Sequence, residues 1–319
     1  MMRALVWDGA TPHVVDHAPE PQPLPGTSVV RVRLAGICST DLEILAGYLA
    51  FRGILGHEFV GDVISGPSHL VGRRVVGEIS FSCGRCATCA SGRRRHCPFR
   101  SVMGISGADG SFAEFVRLPD ENLHEVPDTL ADTAAVFVEP TAAAFEASVQ
   151  TRDRAGGRSL VLGAGKLGLL VAQVLANRGD RVTVLCRSPR GASIARELGL
   201  TTIDRAPTDA AADLVVDATG STQGLEMALR AVRPLGAIVL KSTVAEAHRV
   251  DLAPAVIHEI TIIGSRCGPF GPAIEALAEG NVRVDPLIDR VAPLAEGIAA
   301  LAAAGRPAAL KTLLAPGPN

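Results

Sequence analysis

Lysine is nearly absent. Lys166, Lys241 and Lys311 are the only three in 319 residues, so arginine carries almost all of the positive charge. Basic and acidic residues nearly balance, at a formal net charge of −2. A nucleic-acid-binding protein needs a basic face. The densest basic run here is Arg93-Arg94-Arg95, and three adjacent charges are readily solvated in a loop. No nucleic-acid partner is expected. Aromatic residues are also scarce, at 3 %, which excludes a large aromatic pocket. Tyr48, Phe51 and Phe270 are available to line a cleft, although ordinary packing is the better explanation for any one of them.

Long apolar runs are missing too. None approaches the ~20 residues that cross a bilayer as a helix. Met1-Met2-Arg3 leads straight into the strand-like run Ala4 to Trp7, without an apolar leader core or a small-residue cleavage site. These features predict no membrane partner, no export and a cytoplasmic location. The seven cysteines are an odd number, which argues against a disulfide framework in such a chain. Few lysines with many Ala and Gly residues fit a GC-rich bacterial genome.

What is present describes a globular protein: 47 % hydrophobic and 20 % charged residues. The length exceeds what one core usually serves, so two domains are expected. The first third reads as short strands between Pro and Gly turns, with runs at Ser28 to Leu34, Glu58 to Ile64 and Phe112 to Leu118. From about Thr133 the pattern changes. A helical run from Ala134 to Ser148 precedes strand-like runs at 159–162, 181–185, 214–217, 237–240 and 260–264. Helix-like runs at 166–177, 190–198 and 222–231 separate the earlier ones. This alternation predicts an α/β fold with a doubly wound parallel sheet. The expected division is a β-rich domain over 1–140, completed by a returning tail over 286–319, and a parallel-sheet domain over 141–285. The tail carries a helical run at 294–303 and a strand-like run at 309–314.

Gly163-Ala164-Gly165-Lys166-Leu167-Gly168 follows the strand-like Leu160-Val161-Leu162 and opens an apolar helix. This is G-x-G-x-x-G in its proper context. The first glycine permits the turn, the second lets a pyrophosphate approach the backbone, and the third lets the helix pack on the strand. The helix N-terminus then offers free N–H groups to the phosphates. Cys186-Arg187-Ser188 stands after the next strand, where an NAD site has an acid for the ribose hydroxyls. Arg and a hydroxyl would instead hold a 2′-phosphate, so NADP is favoured over NAD. Stacking on the adenine, or a solvent-facing position, are the other roles open to Arg187.

Cys83, Cys86, Cys89 and Cys97 form C-x2-C-x2-C-x7-C. Four thiolates this close can close a tetrahedral structural zinc site. His96 beside Cys97 is read as a loop residue. A second, dispersed set comprises Cys38 in Gly36-Ile37-Cys38-Ser39-Thr40-Asp41, then His57-Glu58 after Gly56, and Glu139 before Pro140. Cys, His and carboxylate suit a zinc that keeps one position open.

Taken in order, Gly-x-Cys-x-Thr-Asp, Gly-His-Glu, the four-cysteine lobe, Glu-Pro and G-x-G-x-x-G resemble the zinc-containing medium-chain dehydrogenase/reductase superfamily. The similarity is to its alcohol, threonine and sorbitol dehydrogenase branch and covers essentially the whole chain. The resemblance implies a GroES-like catalytic domain and a Rossmann domain. It implies two zinc ions per chain, one catalytic and one structural, and a hydride transfer between a secondary alcohol or polyol, or its carbonyl partner, and NAD(P). Cys38 and His57 match ligands of the catalytic zinc. Glu58 and Glu139 match the two acids that bind the metal or its water, and Thr40 matches the hydroxyl that relays the alcohol proton. Cys83, Cys86, Cys89 and Cys97 match the structural-zinc ligands. Thr219 lies in a turn that approaches the cofactor in relatives, where the backbone at Asp217 is also close.

Two departures stand out. Glu43 occupies the place where many relatives have a relay His, and the segment from Cys38 to His57 is short. Lys241-Ser242-Thr243 and Ser265-Arg266-Cys267 follow strands at the expected nicotinamide end. Relatives also imply a homodimer or homotetramer, paired through the exposed edge strand at 260–264. The rival readings are a zinc-independent C=C reductase on the same fold and a non-catalytic zinc-binding interaction module.

Overall fold

The computed structural model describes residues 1–207, 209–244, 246 and 249–317. The chain divides into two compact units, Met1–Glu139 with the tail from Ile288, and Pro140–Leu287.

In the first unit the strand Thr27–Gly36 is the organising element. It pairs antiparallel with Glu58–Ser65, with Phe115–Pro119 and with the C-terminal strand Lys311–Ala315. Val29, Val30, Val32 and Ala35 are buried along it. Each of these valines contributes roughly 1.5–3 kcal/mol by leaving water. The tail returns through the helix Gly297–Ala304, and its last strand, Lys311–Ala315, is buried at all five residues. Leu313 lies opposite Gly36, and the Ile37 N–H donates to the Thr312 carbonyl at 3.0 Å. That register delivers the side chain of Lys311, the residue before Thr312, to the start of the loop that carries Cys38.

The second unit holds a six-stranded sheet in the order 201–203, 181–185, 158–162, 212–217, 232–240 and 261–264. Every neighbouring pair is parallel. The central strands are apolar in succession, as burial on both faces requires: Leu160, Val161 and Leu162 are all buried, as are Leu214, Val215 and Val216. The helix Lys166–Asn177 is buried from Gly168 to Leu175. No described helix is long and apolar enough to cross a membrane.

The strand Thr201–Ile203 escapes the sequence reading because three residues are too few to show a period. The helix Phe270–Ala278 escapes it for another reason. Pro269, Gly271 and Pro272 read as a turn, yet proline is tolerated in a first helical turn, where its missing N–H costs nothing.

Candidate metal centres and dinucleotide loop

The short helix Ser39–Leu45 begins immediately after Cys38, and the strand Glu58–Ser65 begins immediately after His57. Donor atoms of Cys38, His57 and Glu58 lie within 4.8 Å of one another. His57 and Glu58 are 3 % and 1 % exposed. Asp41, fully buried, braces this group in two directions. Its Oδ2 accepts the Cys38 N–H at 2.8 Å, and its Oδ1 stands 3.3 Å from His57 Nδ1. The carboxylate faces the Nδ1 side of the ring as a charge contact short of a hydrogen bond, and Nε2 is the nitrogen left for a metal. Asp41 closes the Gly-x-Cys-x-Thr-Asp motif, where the residue type alone points to no role. Its signal is the position three residues after Cys38, where a helix-capping acid reaches back to the preceding N–H.

Glu58 Oε2 is paired with Lys311 Nζ, and both residues are buried. Burial opposes the charge on Lys311, but Glu58, with Cys38 and Asp41, outweighs it and holds the ammonium above its ordinary range. His57 behaves alike: burial pushes it down, while Asp41 and then Cys38 raise it well above its usual value. A metal at the ring competes with that proton. Asp41 Oδ1, His57 Nδ1 and Glu58 Oε1 are buried without a hydrogen-bond partner. Unsatisfied polar atoms in a dry site are costly, and a cation beside them is the economical remedy. The donor set therefore fits zinc.

Thr40 Oγ1 lies 3.8 Å from Cys38 Sγ, beside the centre. Glu43 is half-buried on the same short helix. Glu139 lies in the first turn of the helix Val138–Gln150, outside the three-residue donor group.

The second centre is local. Cys83, Cys86, Cys89 and Cys97 bring their sulfurs within 4.8 Å of one another. Sγ–Sγ separations are 3.5 Å for Cys83–Cys97, 3.5 Å for Cys86–Cys89 and 3.8 Å for Cys86–Cys97. A tetrahedron with Zn–S bonds of about 2.3 Å has edges of about 3.8 Å, so four thiolates around zinc would stand at this spacing. None is in a disulfide. The Arg85 N–H is the chief cause that pulls Cys83 down to about 6, so a thiolate forms readily there. His96 is exposed and outside the group. Of the neighbouring arginines, Arg94 pairs with Glu121 and donates to Ser82 Oγ at 3.0 Å.

In the second unit, Gly163 has φ +109°, and a Cβ there would meet the Ala218 carbonyl oxygen at 2.7 Å. A Cβ on Gly168 would meet the Gly163 carbonyl oxygen at 2.0 Å. A Cβ on Gly165, by contrast, would meet nothing within 4 Å. Two of the glycines are thus required by the fold, while Gly165 keeps clear the approach to the helix that starts at Lys166. Ala164 and Leu167 complete the loop. That open cradle fits a pyrophosphate.

Arg187 is exposed, with Nη2 at 3.4 Å from Met227 Sδ. Ser188 Oγ accepts the Gly191 N–H at 3.0 Å and caps the next helix. Thr219 Oγ1 donates to Asp217 Oδ1 at 2.8 Å, so this side chain is turned toward the strand end. Lys241 Nζ donates to the carbonyls of Ala143 and Arg266 and to Ser265 Oγ, which makes it a cross-brace within the unit.

The chain matches the alcohol dehydrogenase GroES-like domain over residues 24–128 and the glucose dehydrogenase C-terminus over residues 132–312. A sorbitol dehydrogenase of Halalkalibacterium halodurans is 29 % identical over 99 % of both chains. A solved alcohol dehydrogenase of Escherichia coli CFT073, complexed with NADH, superposes with a TM-score of 0.90 at 27 % identity, covering 98 % of this chain and 99 % of that one. A zinc-binding dehydrogenase of Sinorhizobium meliloti 1021, bound to NADP, gives the same score and identity over 99 % of both chains.

Proposed function

Because the chain belongs to the zinc-type medium-chain dehydrogenase family, we propose that Cys38, His57 and an acid hold a catalytic zinc in an NADP-preferring oxidoreductase of secondary alcohols or polyols. The observation that carries the reading is the buried convergence of Cys38, His57 and Glu58, braced by Asp41. Zinc would supply Lewis acidity to the substrate oxygen, and the nicotinamide would accept or return the hydride.

The chain's own residues do the rest. Cys38 and His57 hold the metal, with Glu58 and Glu139 as the two acids available to it. Asp41 fixes the His57 ring. Thr40 accepts the hydroxyl proton of the substrate and passes it outward, with Glu43 as a carboxylate acceptor on the same helix. The four-cysteine lobe takes a second, structural zinc. Gly163 to Gly168 seat the pyrophosphate at the helix N-terminus. Arg187 and Ser188 favour NADP, because a guanidinium complements a 2′-phosphate where an acid would repel it. Thr219, turned to Asp217, contributes backbone. The four thiolates require a reducing compartment, which supports a cytoplasmic location.

A homodimer, or a homotetramer built from it, is the assembly this reading supports. Among the described residues the strand Thr261–Gly264 is paired on one side only, and Leu235, Val256 and Ile257 are exposed at 58 %, 77 % and 71 %.

Titration of the purified protein with NADPH and NADH, followed by fluorescence, tests the cofactor assignment. NADPH is expected to bind more tightly, and Arg187→Ala to remove about tenfold of that preference while leaving NADH binding unchanged. Tighter NADH binding by the wild type would reverse the assignment. Turnover screens with secondary alcohols and polyols then test the substrate class, and turnover surviving Cys38→Ala would instead favour the zinc-independent reductase.

A further inference from the structure

Asp217 ends the strand Ala212–Asp217 in the middle of the parallel sheet, opposite Leu162 on one side and Leu240 on the other. Leu162 leads into the glycine loop, and Leu240 leads into Lys241 and Ser242. Asp217 is 1 % exposed. A buried carboxylate is costly unless donors surround it. Here Oδ1 takes three: the Thr219 N–H at 3.0 Å, the Thr219 hydroxyl at 2.8 Å and the Ser242 hydroxyl at 3.1 Å.

Each hydroxyl hands that hold on. A hydroxyl that donates to the carboxylate keeps its lone pairs for another donor. Thr219 Oγ1 accepts the Ser221 N–H at 3.2 Å, and Ser242 Oγ accepts the Gly220 N–H at 2.9 Å. Three successive N–H groups, of Thr219, Gly220 and Ser221, are therefore drawn toward one carboxylate, the last two through one hydroxyl each. A charge at the end of such a chain strengthens every link. The room for it is reserved as well: a Cβ on Gly224 would meet Asp217 Oδ1 at 2.3 Å and Oδ2 at 2.4 Å.

The segment so held borders the dinucleotide loop. The Ala218 N–H donates to the Leu162 carbonyl at 3.0 Å. A Cβ on Gly163 would meet the Ala218 carbonyl oxygen at 2.7 Å and Thr219 Cα at 3.3 Å, so the first glycine of the loop is required by this segment. On its other side the Lys241 N–H donates to the Asp217 carbonyl at 2.9 Å, beside Ser242.

We propose that Asp217 is a positioning residue for the dinucleotide: its carboxylate sets residues 218–221 against the glycine loop and ties them, through Ser242, to the loop after the next strand. The inference rests on the reading of Gly163 to Gly168 as a dinucleotide cradle. It adds the acid that fixes the wall of that cradle without touching the ligand.

The test is fluorescence titration of the full-length protein with whichever of NADPH and NADH the wild type binds more tightly. Asp217→Asn removes the charge and is expected to weaken binding about tenfold, the scale of one hydrogen bond to a charged group. Gly224→Ala leaves Asp217 in place but drives its carboxylate aside, and should weaken binding to a similar degree. Ser242→Ala should cost about threefold by itself and nothing further in the Asp217→Asn background, because the two act as one network. Ser242→Thr keeps the hydroxyl and should bind as the wild type does, a rescue that a general loss of packing would not give. The Ser242 pair of variants also serves if Asp217→Asn does not fold. Wild-type affinity in Asp217→Asn, equal losses from Ser242→Ala and Ser242→Thr, or a full additional loss from Ser242→Ala on top of Asp217→Asn would each overturn the role of Asp217. A wild type that binds neither dinucleotide would instead overturn the cradle reading beneath it.

Discussion

The two candidate metal centres sit in the same unit and are built on opposite plans. The lobe draws four identical ligands from fifteen consecutive residues, in a loop where Cys83 and Cys86 are only partly buried. Its remaining elements are a four-residue helix and a single 3-10 turn. Such a loop has little core, so the metal itself would be its core. The Cys38 centre mixes sulfur, nitrogen and carboxylate, with His57 and Glu58 buried and Cys38 partly so. Its charges are matched across the fold, from Cys38 near the start to Lys311 near the end. A closed set of four thiolates has no place for substrate. A mixed set braced from outside can leave one. Neighbouring residues alone bring the four sulfurs together, whereas the mixed set converges only through the pairing of strands far apart in the sequence.

The largest effect that would sharpen this contrast comes from Cys38→Ala. Turnover should fall by at least about a thousandfold, equivalent to roughly 4 kcal/mol of barrier. Zinc content should drop by one ion per chain, with the melting temperature little changed and the lobe metal retained. Loss of both ions on this single change would merge the two centres into one and break the comparison.

Cys86→Ser attacks the other plan. One zinc should again be lost, but here limited proteolysis should cut between Ser82 and Pro98, and thermal stability should fall by about 2–5 kcal/mol, as when a comparable cross-link is removed. The Cys38 centre should keep its metal in the protein that remains folded. A variant as protease-resistant as the wild type would show that the lobe holds its shape without zinc.

A smaller effect is expected from Asp41→Asn. The amide still receives the Cys38 N–H but no longer offers a charge to His57 Nδ1. Metal affinity at this centre should weaken by about 10–100-fold with the lobe unaffected, measured by competition with a chelator of known affinity. Equal affinity in variant and wild type would remove Asp41 from the account.

The smallest effect belongs to Arg94→Ala, which cuts the half-exposed pair with Glu121 at the rim of the lobe. Exposed pairs contribute about 0–1 kcal/mol. The denaturation midpoint should barely move, and a shift beyond that range would show that the lobe depends on its surroundings more than its four sulfurs suggest.

How much of this was legible in the sequence follows from the same contrast. The lobe can be read directly, because its ligands are neighbours and their spacing is the site. The dinucleotide loop is nearly as plain, since strand, glycines and helix are contiguous; what the structure adds is that Gly165 alone of the three faces open space. Cys38, His57 and Glu58 are recognisable as residue types, but their meeting depends on the pairing of the strands Thr27–Gly36 and Glu58–Ser65. Asp41 and Lys311 are hidden for physical reasons. An acid on a short amphipathic helix reads as solvated, and a lysine near the C-terminus reads as exposed. Only the register that sets Leu313 opposite Gly36 brings Lys311 to Glu58.

Two zinc ions with different purposes in one chain can be counted by metal analysis of three purified proteins. Zinc per chain should be near two for the wild type and near one for both Cys38→Ala and Cys86→Ser, with alcohol-dependent NADP reduction abolished in Cys38→Ala and still measurable in Cys86→Ser. A wild type with one zinc that survives Cys38→Ala and disappears in Cys86→Ser would contradict the account, leaving the lobe as the sole metal site.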